Sequence, residues 1–253
     1  MDEISLTMDQ TGWLAGLQME LDGAIADLMQ VCQAAEAQTY SNTASEYRVG
    51  LARIGLPNAQ ALANEAPARA ARSCFLAAIG KFIGFMDKLI ATQNISKEKI
   101  VVTRDLCGED EILGYMNEYL GDRIRKVAHD QSMTNPKKLD RFAGITNFAR
   151  DAMLSYFQFR RALEHHQDIP SNDLTVPMQR PSLFVEGVEV TSLPFDVKGG
   201  NKVEVRIATE HKVFPAGRKV ILTPPNALDM LFVMRNVAAI QVFRVHLGEP
   251  AIQ

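Results

Sequence analysis

ARAARSCFLAAIGKFIGFMDKLI, residues Ala68 to Ile90, carries the clearest structural signal in the chain. Phe75, Leu76, Ile79, Phe82, Ile83, Met86, Leu89 and Ile90 recur at three- and four-residue steps, which lines them along one side of an α-helix. Gly80 and Gly84 each weaken that helix by roughly 1 kcal/mol relative to alanine. Their spacing would let another helix approach closely.

Working outward, the same period predicts three further helices. The first runs from Thr11 to Ala37, with Leu14, Leu17, Leu21, Ile25, Leu28 and Met29 on its apolar side and Asp9 in its cap region. Residues 39–66, rich in Ser, Asn, Ala and Gly, read as a long connection around Pro57. Ile100 to Thr103 reads as a short strand. A third helix begins near Glu109 and buries Ile112, Leu113, Met116, Tyr119, Leu120, Ile124 and Val127. After a turn over 131–136, Pro136 is suited to open a fourth helix that continues to about His165.

Past Pro170 the texture changes. Seven of the eleven prolines lie from Pro170 onward, Pro250 aside. Val203, Val205 and Ile207 alternate with Glu204, Arg206 and Ala208, the two-residue period of a half-buried strand. Pro215-Ala216-Gly217 reads as a hairpin turn joining 212–214 to 219–222, and Gly199-Gly200-Asn201 as another turn. Residues 227–240 fit helix or strand, and Val242 to Leu247 reads as a last strand. The expected fold class is therefore α+β. An N-terminal antiparallel helical bundle over 1–169 precedes a C-terminal strand-rich module with antiparallel hairpins over 170–253.

Composition narrows the function. The 253 residues are 47% hydrophobic and 23% charged, with a net charge of −3, so no basic surface covers the whole molecule. Cys32, Cys74 and Cys107 are odd in number and far apart, which fits neither a disulfide framework nor a zinc knuckle. The start Met1-Asp2-Glu3 is unlike a secretory signal, and no apolar run approaches the ~20 residues of a membrane helix. A cytoplasmic location without membrane partners is the expectation. The charge is uneven, however. Residues 1–40 hold seven acids and no lysine or arginine, whereas residues 121–165 hold nine lysines and arginines against five acids.

The chemically suggestive residues lie in that basic region, at the end of the third helix: Arg123-Ile124-Arg125-Lys126-Val127-Ala128-His129-Asp130. A histidine titrating near neutrality moves protons. An arginine holds a phosphate through two parallel bonds. Together they suit RNA cleavage, one assisting attack by the 2′-hydroxyl and the other balancing charge on the pentavalent phosphorus, without a metal. A plainer reading is a surface helix end whose basic residues offset the negative end of the helix dipole.

This segment resembles the signature of HEPN domains, four-helix bundles in which an arginine and a histidine close the third long helix. The resemblance covers roughly residues 10–165. It implies a metal-independent ribonuclease of a toxin or defence system that works as a homodimer. By the same resemblance Arg123 and His129 are catalytic, while Arg125, Lys126 and Asp130 support them or bind phosphate. RNA and a second copy are the implied partners, with no cofactor and no metal. Ile124 stands where the family most often has a polar residue. The family separates its arginine and histidine by four to six residues, and Arg161 and His166, with four between them, also satisfy that range at the end of the fourth helix.

Three other groups are weaker. His165-His166 with Asp168 lacks a third metal ligand, Cys107 precedes acids that raise a thiol pKa, and Gly199-Gly200-Asn201-Lys202 lacks the spacing of a phosphate loop. The alternative function is a non-enzymatic oligomeric assembly protein, with the helices as its oligomerisation unit and the strands as a binding surface, including for a protein partner. A third is a small-molecule or nucleotide-binding regulator.

Overall fold

The computed structural model describes residues 4–6, 10–40, 59–95, 100–102, 108–190, 202–247, 249 and 252. In chain order these form β1 (Ile4–Leu6), α1 (Gln10–Tyr40), α2 (Ala59–Ile95), β2 (Ile100–Val102), α3 (Glu109–His129), α4 (Asn135–Leu139), α5 (Asn147–His165), β3 (Leu174–Val185), β4 (Val188–Glu189), β5 (Val203–Phe214) and α6 (Pro224–His246). The fold is α+β, helical mostly before Pro170, with a three-stranded antiparallel sheet in order β4-β3-β5 after it. No described helix is long and apolar enough to cross a membrane. Asp9, Pro57, Cys107 and the Gly199–Asn201 turn lie outside the described residues.

The chain packs as two compact units, each drawing on both sides of Pro170. One comprises Met1–Ala26, Ala77–Arg150 and Arg235–Gln253, the other Asp27–Leu76 and Asp151–Met234.

In the first unit, Phe82, Met86, Leu89 and Ile90 of α2 are fully buried, as their spacing predicts. Phe82 meets Phe85 and Phe142 at ring-centroid distances of 6.3 and 6.4 Å. β1 pairs antiparallel with β2, Ile4 opposite Val102. One ion pair is buried in this apolar setting. Lys138 Nζ donates to Asp87 Oδ1 at 2.6 Å, with both side chains under a tenth exposed. The glycine spacing on α2 serves no close helix approach. A Cβ at Gly80 or Gly84 would meet nothing within 4 Å, and both glycines line a groove with Glu20 and Lys88.

The fourth helix is two helices. α4 stops at Leu139 and α5 starts at Asn147, although Leu139, Phe142 and Ile145 keep a helical period across the gap. Gly144 causes part of the break. Its φ is +65°, a backbone conformation that residues with a Cβ rarely adopt. Thr146 then opens α5, its Oγ1 accepting from the Ala149 N–H at 3.2 Å.

In the second unit, Phe75 stacks edge-on with Tyr156 and Phe159 at 6.2 and 5.3 Å, and Phe159 meets Phe214 at 4.7 Å. The strand at Val203 extends to Phe214, but its partner is β3 rather than 219–222. Leu174 lies opposite Phe214 and Val185 opposite Val203. Pro177 and Pro181 hid β3 from the sequence reading. Both lie four apart where β3 has only one neighbour, so their missing N–H groups fall on its unpaired side. Residues 227–240 are helical, and so are 242–246, read above as a strand. The apolar alternation there is short. Burial of Met230, Met234, Val237 and Gln241 at helical steps decides the matter.

Lys138→Met leaves the Asp87 carboxylate buried without its partner. The expected loss is about 3–5 kcal/mol of unfolding free energy in urea titration, most of it recovered by adding Asp87→Leu. Gly80→Ala fills open space on a helix and is expected to raise stability by about 0.5–1 kcal/mol in the same titration.

Candidate functional site

The five residues singled out at the end of α3 do not form one cluster. Successive helical residues turn about 100°, which puts Arg123 about 120° away from His129. Arg123 is half-buried and turned back along its own helix. Its Nη2 donates to Tyr119 Oη at 2.8 Å, and the guanidinium lies 5.2 Å from that ring's centroid. Ile124 packs partly buried against Ile95 and Leu120. Arg125 and His129 share an exposed face with Asp122, which pairs with Arg125, while the exposed Lys126 lies between that face and Arg123. Asp130 follows the helix and accepts from Ser132 Oγ at 2.6 Å and Ser132 N at 2.9 Å, bonds that hold its carboxyl below the usual range. The geometry thus joins Arg125 and His129 on one exposed helix face and separates Arg123 from His129.

The second arginine–histidine pair has a different setting. Arg161 and His166, at the end of α5, line a cleft of about 370 Å³ together with Gln158 and the chain from Pro170 to Leu174. Both residues are exposed at its surface. The cleft exists because the chain reverses sharply after the helix. Gln167 and Asp168 both take left-handed backbone, φ 52° and 65°, which non-glycine residues adopt at a cost of order 1–3 kcal/mol each.

Local bonds hold that reversal in place. Arg72 of α2 reaches over the helix end, its Nη2 donating to the Leu163 carbonyl at 2.6 Å and its Nε to Asp168 Oδ1 at 2.8 Å. The Ile169 N–H donates to the His166 carbonyl at 2.9 Å, and the Val220 N–H to the Asp168 carbonyl at 2.7 Å. Beyond the turn, Asp173 Oδ1 accepts the Ala216 N–H at 2.8 Å. One wall is therefore the last turns of α5 and the other is the strapped segment that enters β3. Asp168, set aside with His165 and His166 as a metal site in the sequence, is bound to Arg72.

Arg161 and His166 were visible in the sequence as a second arginine–histidine pair. Arg72 was not: it lies 96 residues from Asp168, and no local pattern marks it. Comparison of the chain with protein-family models, with curated protein sequences and with solved structures gives no match.

Replacing Arg72 with Met removes both bonds that hold the turn. The amide of Val220 is expected to exchange faster with solvent deuterium in Arg72→Met, with a stability loss of about 1–3 kcal/mol. Unchanged exchange at that amide would show that the turn holds without Arg72.

Proposed function

We propose that this chain is a HEPN-like, metal-independent endoribonuclease, and that Arg161 and His166 are its reacting pair. One observation carries the reading: an arginine and a histidine together line a concave site. The pair first singled out, Arg123 and His129, lies on separate faces of a convex helix end. Reacting groups are favoured in a cleft, where substrate is held and water partly excluded.

The chemistry follows from the two side chains. The His166 imidazole takes the proton of a ribose 2′-hydroxyl as that oxygen attacks the adjacent phosphorus. The Arg161 guanidinium binds the non-bridging oxygens and balances the charge that builds on them. The bond from phosphorus to the 5′-oxygen breaks, and that oxygen takes a proton from solvent water as it leaves. The products are a 2′,3′-cyclic phosphate and a 5′-hydroxyl, and no step needs a metal.

The test is cleavage of single-stranded RNA in EDTA by the unmodified chain, His166→Ala and His129→Ala. The expected result is cleavage leaving cyclic phosphate ends, lowered about a hundredfold or more in His166→Ala and little changed in His129→Ala. Loss in His129→Ala alone would move the reacting group to α3. Equal cleavage by all three, or none by the unmodified chain, would remove the nuclease reading and leave the non-enzymatic assembly protein.

A further inference from the structure

β5 is a long strand at the edge of its sheet. Among the described residues only β3 pairs with it. Its free side is identifiable from the hydrogen bonds around it. The Glu186 N–H donates to the Lys202 carbonyl, which makes the even-numbered pairs of the β3–β5 ladder the bonded ones. Pro177 and Pro181, lacking N–H groups, fall on the odd-numbered pairs, as that pattern requires. The N–H and C=O groups of Val205, Ile207, Thr209 and His211 therefore point to the open edge. The side chains add to this. Val203, Val205, Ile207 and Val213, all odd-numbered, are 47–62% exposed on one face. A strand with free backbone groups and exposed β-branched side chains is a template for another strand.

We infer that β5 pairs antiparallel with β5 of a second copy, about a two-fold axis at Ala208, to form a continuous sheet across a homodimer. The charge pattern selects this occupant and this register. With Ala208 opposite itself, Glu204 faces the second copy's Lys212, whose Nζ also donates to Asn226 Oδ1 at 2.6 Å within its own chain, and Arg206 faces its Glu210, which makes four pairs of opposite charge across the axis. On the other face Val203 meets Val213, and Ile207 meets Thr209. Shifting the strands by two residues would bring Glu204 opposite Glu210 and break the match. Ala208 occupies a site that is not hydrogen-bonded across the axis, where Cα atoms come to about 4.5 Å, and its small side chain suits that approach. Glu204 already bridges Lys202 and Arg206 within one chain, so the pairing extends an existing ladder of alternating charge. A two-fold interface of this kind is closed, which satisfies both edges at once. This inference does not rest on the nuclease reading.

The full chain is tested by light scattering after size exclusion, with far-UV circular dichroism to confirm folding. The unmodified chain is expected to be a dimer. Arg206→Glu places acids opposite acids, and Glu210→Arg places bases opposite bases, so each variant alone shifts toward monomer. Mixing the two restores a dimer, because every pair is then opposite in sign. Ala208→Cys is expected to give a disulfide-linked dimer on mild oxidation, with the unmodified chain and Thr209→Cys as controls that do not. A chain that is monomeric at every accessible concentration would overturn the inference. So would a dimer that neither charge variant weakens and that Ala208→Cys does not cross-link, because its interface would lie elsewhere.

Discussion

The second unit turns on one hydrogen bond. The Tyr156 hydroxyl, fully buried on α5, donates to the Pro177 carbonyl of β3 at 2.7 Å. A hydroxyl in that position must find an acceptor or cost the unit free energy. Proline makes the acceptor available. Because Pro177 has no N–H to give, its place in β3 faces away from β5, and its carbonyl is turned with it. The helix thereby fixes where the strand sits along its length and which way its backbone faces. Burial, with the Asp229 carboxylate nearby, pushes the Tyr156 hydroxyl well above its usual pKa, so it stays a donor across the ordinary pH range.

Two consequences diverge from that bond. Two turns after Tyr156, α5 ends at the Arg161–His166 cleft, whose far wall is the chain running into β3. The same facing of β3 assigns the bonded pairs of the β3–β5 ladder and leaves the outer edge of β5 unpaired. Asp229 reinforces the arrangement from α6. Its carboxyl is largely buried and raised in pKa by that burial, an effect opposed by Arg180, whose Nη2 donates to it at 2.8 Å from β3. A strand bound at both Pro177 and Arg180 cannot slip by one residue without losing both contacts.

The helical period was legible at Phe75 to Ile90, and at Ile112 to Val127 it located the helix, although Leu113, expected on its buried side, is 60% exposed. It misled where the period outlived the helix. Leu139, Phe142 and Ile145 are correctly spaced, yet α4 ends at Leu139 and the left-handed Gly144 keeps the chain out of helix until α5 begins. At the end of α3 the residues of the arginine–histidine motif were legible but their relation was not. Spacing states how far apart Arg123 and His129 lie along the chain. It does not say that Tyr119 draws the arginine back along the helix.

From the sequence alone came the division into helices and strands near Pro170, the core side of α2, and both arginine–histidine spacings. These are consequences of local period, and a local period is written in consecutive residues. Tertiary structure alone decided that β5 pairs with β3, that α6 runs through Val242 to His246, and that Arg161 and His166 share a cleft. Each depends on a partner distant in the chain: Pro177 opposite His211, Gln241 Nε2 donating to the Ala143 carbonyl, and Arg72 strapping Leu163 and Asp168. Such contacts form where chain segments are brought together by packing, and no short window of sequence contains both of their ends.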